Sequence, residues 1–307
     1  MQRAARSIRS GLRRYPRAII DSFKASSPQQ RQHLPTLIHD LLPHDLAAVW
    51  LGHASVLTQI GDHSVLIDPV LSDRIGMRLG SRTIGLPRLS PTPVTPSSLR
   101  GVDLILITHA HFDHLDRPTL AHLADTRTRV IVPSGCRSLV PPGFKDILEL
   151  RPQEFKEFDG LEIRSIQPAH WGARRVTDRH RGVNAYVVEG MGQRVFFAGD
   201  SADTDAFDHL DAIDLAVLGI GAYDPWEHMH ATPEQAWSMF ERIGARYLLP
   251  VHHSTFELSE EPIDEPMRRL RSIAGEAFKS RVIDPVTAEV IVIDQGTTDS
   301  ENPVAGK

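Results

Sequence analysis

Apolar residues recur along this chain in short runs bounded by turn formers, and the pattern becomes regular from Val49 onward. Residues 49–60 and 64–67 predict two strands joined by Gly61-Asp62-His63. The continuous apolar stretches at 103–107, 215–220 and 247–251 predict strands buried on both faces, and 129–132 adds another. Two hairpins are expected, one over 155–166 about Asp159-Gly160, the other pairing 184–188 with 195–198 around 190–192. Residues 76–98 hold four prolines (87, 91, 93 and 96) and predict a long loop. Helices are expected at 118–124, 232–243 and 265–278, and a last strand at 289–293. The second of these helices has the firmest start: Thr232 caps it, Pro233 takes its first position, Gln235 completes a capping box, and Gly244 ends it. The sum is a strand-rich α/β domain.

Composition agrees with a folded chain, since 41% hydrophobic and 24% charged residues over 307 positions exclude disorder as a description of the whole. The single cysteine, Cys136, excludes a disulfide framework and a cysteine zinc cluster, and is expected to be a small buried hydrophobe. No stretch reaches the roughly 20 apolar residues of a spanning helix. Charge is uneven. Residues 1–27 hold seven basic side chains and one acidic one, or +6, so the overall −5 leaves −11 for the remainder. Ile8, Leu12, Tyr15, Ile19 and Phe23 fall at helical spacing among arginines, although Pro16 interrupts them, which makes residues 1–27 a candidate for peripheral contact with anionic lipid. The segment lacks the apolar core of a secretory signal, so a cytoplasmic location, with association at the inner face of a membrane, is expected. The expected division is a basic arm with short helices over 1–45, a catalytic domain over 46–300 and a tail over 301–307.

The sixteen histidines matter most where they cluster. Directly after the apolar run 103–107, His109-x-His111-x-Asp113-His114 packs four metal-ligand types into six positions. That is too close for one tetrahedral ion and suits two ions sharing a cleft, because such groups repel on partial protonation unless a cation holds them.

This motif resembles the signature of the metallo-β-lactamase-fold hydrolases, and later landmarks follow in the same order: His170 before Trp171, Asp200 in Gly199-Asp200-Ser201, and His252 after Val251. Trp50-Leu51-Gly52-His53, Asp68-Pro69, and Gly221-Ala222-Tyr223-Asp224-Pro225 leading to His230 are similar to the branch that holds N-acyl-phosphatidylethanolamine-hydrolysing phospholipase D and L-ascorbate 6-phosphate lactonase. The resemblance implies an αβ/βα four-layer sandwich with metals at one edge. It implies that His109, His111 and His170 hold one ion, Asp113, His114 and His252 the other, and that Asp200 bridges them. Zinc is the expected metal, with manganese and iron compatible with the same ligand types.

Two cations sharing a water would lower its pKa from 15.7 toward about 7 and supply hydroxide to a phosphorus or carbonyl centre. A nearby acid must then protonate the departing oxygen; His230 is the first candidate and Asp113 the second. Asp68 is expected to orient a ligand histidine from behind. Trp171, Tyr223 and Trp226 are candidates for an apolar pocket, Arg174, Arg175, Arg179 and Arg181 for a phosphate contact, and His53 and His253 for further substrate contacts. The leading expectation is a phosphodiesterase acting on a small or lipid phosphodiester. A lactonase for a sugar-phosphate lactone is the alternative, and an iron-dependent redox enzyme on the same ligands is the alternative of another class. The −11 body, without a basic stripe of interleaved aromatics, points away from nucleic acid.

Overall fold

The structure, a computed structural model, describes residues 37–293 apart from 81, 93, 175–177 and 179. The basic arm over 1–27, the tail over 301–307, Arg175 and Arg179 lie outside the described residues. A short helix α1 (Leu37–Leu41) leads into β1 (Leu46–Trp50), β2 (Val56–Ile60), β3 (His63–Ile67) and a ribbon of β4 (Arg74–Leu79) and β5 (Arg82–Pro87). Then come β6 (Leu104–Leu106), α2 (Arg117–Leu123), β7 (Arg129–Pro133), β8 (Asp146–Leu150), β9 (Phe155–Phe158), β10 (Leu161–Ile166), β11 (Ala185–Gly190) and β12 (Gln193–Phe197). The chain continues through β13 (Leu215–Gly219), α3 (Pro233–Ile243), β14 (Tyr247–Val251), α4 (Glu265–Ala274), α5 (Phe278–Arg281) and β15 (Val290–Val292).

Two sheets form, a seven-stranded one in the order β15-β1-β2-β3-β6-β7-β8 and a six-stranded one in the order β14-β13-β12-β11-β10-β9. Alternation along each strand sorts the apolar side chains into three layers. Ala48, Val65, Leu104 and Leu106 of one sheet meet Ile163, Tyr186, Phe197 and Val217 of the other between the sheets. The opposite face of the first sheet, with Val49, Leu66, Ile105 and Val130, packs under Leu120 and Leu123 of α2. That of the second, with Val187, Phe196, Ala216 and Leu248, packs under Met239 and Phe240 of α3 and Leu270 of α4. The expected four-layer αβ/βα sandwich is therefore present. It explains why the runs at β6 and β13 show no polar alternation: both of their faces are covered.

Four elements differ from expectation. The run 49–60 makes two strands, because Leu51 N bonds Ser55 O at 2.8 Å across a tight turn with His53 at φ 54°. Within 76–98, the ribbon β4–β5 replaces the expected loop. Gly76 and Gly85 face each other across it at φ 145° and 157°, and a Cβ on either would lie about 2 Å from the opposite carbonyl oxygen, so residues that read as loop formers are what let the strands approach. Strand β8 was not anticipated; it is a half-exposed edge strand in which Asp146 and Glu149 mask the pattern. The third helix stops at Ala274 and yields to a 3₁₀ turn at Gly275, which has φ 54°.

Strands β3, β6, β7 and β8 are mutually parallel, as are β12, β13 and β14. Asp68, His109 to His114, Asp200 and His252 all follow the C-terminal ends of parallel strands, the edge of an α/β sheet where ligands bind.

Candidate metal centre

Thr108 starts the site. Its amide and hydroxyl both donate to Asp68, at 2.7 and 2.6 Å, and its own carbonyl accepts from Asn184 N at 2.9 Å, so the residue before the histidine cluster is tied to both sheets. Beyond it the chain turns, with His114 N and Leu115 N both bonding His111 O. Asp116 closes the turn by capping α2 through Thr119 N.

These bonds assign the tautomers of three imidazoles. Thr108 Oγ1, having given its proton to Asp68, accepts from His109 Nδ1 at 3.0 Å; Asp68 Oδ2 accepts from His114 Nδ1 at 2.7 Å; and Met229 O accepts from His170 Nδ1 at 3.0 Å. The Nε2 atoms of all three rings point at Asp200 Oδ2, at 3.6, 3.2 and 3.7 Å. His252 Nε2 lies 3.2 Å from Asp200 Oδ1 and 3.4 Å from Asp113 Oδ2.

Three groups result among the described residues: His109, His111, His170 and Asp200; His53, Asp113, His114 and His252; and Asp200, His230 and His252, with the ligand atoms of each group within 4.8 Å of one another. The seven residues expected to hold metal are thus brought together. His53 joins them: its ring is buried and hydrogen-bonds Asp113 Oδ2 at 3.0 Å, which turns a residue expected to meet substrate into a partner of Asp113.

The donor set fits divalent cations. His109 Nε2 and His111 Nδ1 stand 2.9 Å apart, and His111 Nδ1 and His170 Nε2 3.4 Å. Ligands spaced by a tetrahedral ion at about 2.0–2.1 Å sit roughly 3.3 Å from one another. His114 Nε2, His252 Nε2 and Asp200 Oδ2 are buried without hydrogen-bond partners, which a protein tolerates where something else satisfies them. The electrostatics divide the set: burial opposes the charged forms of His114 and His252, yet Asp200, Asp68 and Asp113 raise His114 well above the ordinary value, and Asp200 and Asp113 raise His252 to about 9. Burial opposes the Asp200 carboxylate, yet His114, His252 and His230 outweigh it and hold its pKa well below the ordinary value. Burial, reinforced by His114 and His111, drives His109 well down, and burial takes His170 to about 4, so both stay unprotonated, as a ligand must. Backbone strain is concentrated here too: His53, Asp68, Ala222, His252 and Ser254 all have positive φ.

His230 sits above this centre, with Nδ1 3.7 Å from Asp200 Oδ2 and its ring against those of His170 and His252. Trp171 is 46% exposed with its ring 5.6 Å from that of His111, at the mouth of the site. The other expected substrate contacts have the following surroundings. Arg174 donates to Ala110 O and Leu115 O, both at 2.8 Å, and lies over the Phe112 ring, so its guanidinium braces the ligand loop. Arg181 is held by Asp178 and Gly135 O. Tyr223 is buried and donates to Glu265 at 2.8 Å, and His253 is buried and stacked on Trp50. Trp226 is half-buried beside His228.

Fold and centre together are those of the metallo-β-lactamase class. The beta-lactamase superfamily domain is matched over residues 63–253, and the chain belongs to this superfamily. It is 34% identical over 242 residues to an uncharacterized protein of Mycobacterium tuberculosis, covering 75% of this chain and 64% of that one. It is 28% identical over 250 residues to N-acyl-phosphatidylethanolamine-hydrolyzing phospholipase D 1 of Caenorhabditis elegans, covering 74% of this chain and 69% of that protein. Among solved structures it is similar to isothiocyanate hydrolase from Delia radicum gut bacteria, with a TM-score of 0.63 at 18% identity over 80% of this chain and 98% of that one. The chain spans somewhat less than two thirds of the length of the mycobacterial relative.

Proposed function

We propose that this chain is a phosphodiesterase using two divalent ions, zinc by preference, and that its substrate is a lipid or small anionic phosphodiester. The observation that carries the reading is Asp200: one buried carboxylate lies between two sets of histidines, with Oδ1 toward His252 and Oδ2 toward His109, His114 and His170. The likeness to the nematode phospholipase D supports the choice of phosphodiester.

His109, His111 and His170 would hold one ion and Asp113, His114 and His252 the other, with Asp200 shared. Bound there, the ions would supply Lewis acidity toward the phosphoryl oxygens and activate water as the nucleophile. The protein contributes orientation: Thr108, Asp68 and the Met229 carbonyl keep three Nε2 atoms aimed inward, and His53 steadies Asp113. His230 is the proton donor to the departing oxygen. Burial lowers its pKa well below the ordinary value, with the Asp200 carboxylate 3.7 Å from Nδ1 opposing that shift.

The test is hydrolysis of bis(4-nitrophenyl) phosphate and of an N-acyl-phosphatidylethanolamine beside a lactone panel, with zinc- or manganese-loaded protein and Asp200→Ala as control. Metal-dependent diester cleavage that vanishes in Asp200→Ala is expected. Turnover of lactones alone would replace the reading with the sugar-phosphate lactonase.

A further inference from the structure

The ribbon β4–β5 pairs with neither sheet. Its register sets Ile75 opposite Leu86, Met77 opposite Ile84 and Leu79 opposite Arg82, so these six side chains share one face. Exposure along that face rises toward the tip: Ile75 is buried, Met77 is 57% exposed and Leu79 68%. At its base the face merges with Val70, Phe256, Phe112 and Leu258. Phe112 lies between His111 and Asp113 in the chain, and the Phe256 ring meets that of His53 edge-on at 5.2 Å. An apolar track therefore runs from the wall of the metal centre to the ribbon tip.

Charge distinguishes the ribbon from the rest of the body. Residues 74–87 contain Arg74, Arg78 and Arg82 and no acidic residue, whereas the chain beyond residue 27 sums to −11. Toward the tip Arg78 donates to Gly80 O at 3.5 Å, and at the base Arg74 donates to Gly85 O at 3.0 Å. A two-stranded tip carrying two long apolar side chains is a narrow wedge rather than a flat patch. Such a wedge gains by entering a membrane interface while flanking guanidinium groups meet headgroup phosphates.

We propose that the β4–β5 ribbon docks this protein on an anionic lipid surface, inserting Met77 and Leu79 and setting Arg78 and Arg82 against the phosphates, which brings the mouth of the metal centre to the bilayer. The inference extends the lipid-phosphodiester reading, and its test requires no turnover, so the two can fail separately.

The experiment is co-sedimentation of the metal-loaded full chain with vesicles of phosphatidylcholine alone or of phosphatidylcholine with phosphatidylglycerol. It compares Met77→Ser/Leu79→Ser, Arg78→Glu/Arg82→Glu, and Arg13→Glu/Arg14→Glu/Arg17→Glu in the basic arm. Binding of the parent chain to anionic vesicles, weakened about tenfold or more by either ribbon pair, with turnover of a soluble diester unchanged, is expected. Both ribbon pairs replace exposed residues, and circular dichroism checks that they fold. Ribbon variants that bind like the parent would overturn the proposal, whether or not the arm variant loses binding. So would a parent chain that does not bind, or a ribbon pair that acts by converting a dimer to a monomer without vesicles.

Discussion

Asp68 Oδ2 lies 2.7 Å from His114 Nδ1, and the same carboxylate takes both donors of Thr108, so one buried side chain at the end of β3 orients two successive parts of the ligand loop. Asp68→Asn keeps the shape but sets an amide where a second acceptor is needed. Metal affinity is expected to fall about 10- to 100-fold, with the far-ultraviolet dichroism unchanged. Equilibrium dialysis with zinc checks it, and wild-type affinity would show that His114 orients itself.

Arg174 follows the His170-Trp171 pair in sequence, yet its guanidinium is committed to the carbonyls of Ala110 and Leu115. Arg174→Ala should therefore lower stability by about 1–3 kcal/mol by leaving buried carbonyls unpaired, while KM for an anionic diester changes little. A large rise in KM at unchanged urea midpoint would return Arg174 to the substrate.

Gly199 has φ 60°, and a Cβ there would lie 2.8 Å from the Thr108 side chain. Gly199→Ala pushes Thr108 and Asp200 apart from opposite sides. Destabilisation of more than about 1 kcal/mol is expected, together with faster loss of metal to a chelator. Urea unfolding and chelator-exchange kinetics measure the two effects.

Cys136 is buried, and burial pushes its thiol from 9.0 up to about 11. Because the folded pKa is raised, the native state favours the protonated thiol, and this contribution to stability is present below pH 9 and declines as the pH rises toward 11. At pH 8 the thiolate fraction should be about 100-fold below that of a free cysteine. Iodoacetamide should accordingly modify native protein at least that much more slowly than urea-unfolded protein; equal rates would place Cys136 at the surface.

Much of the centre is legible in the sequence. His109, His111, Asp113 and His114 announce themselves because a strand's end confines their ligand atoms to a few ångströms, so spacing in sequence becomes spacing in space. His170, Asp200 and His252 needed the family likeness, since sequence separations of tens of residues say nothing of distance. His53 lies in a motif that the sequence displays, but its bond to Asp113, 60 positions away, depends on how the turn after β1 meets the ligand loop. The same holds for Tyr223 and His253, polar-capable rings that the layers bury.

Period, run length and capping chemistry are local properties, and from them the sequence alone determined most strands, the Thr232 helix start, the strand-rich α/β class and the ligand loop, while the sandwich followed from the family likeness. Register between the sheets, the direction of each imidazole and the fate of Arg174 arise from contacts between distant segments, so only the tertiary structure decided them. The ribbon lies between these cases: its glycines read as loop because one residue at a time carries no record of the facing strand, and only pairing Gly76 with Gly85 turns that loop into a ribbon beside the metal centre.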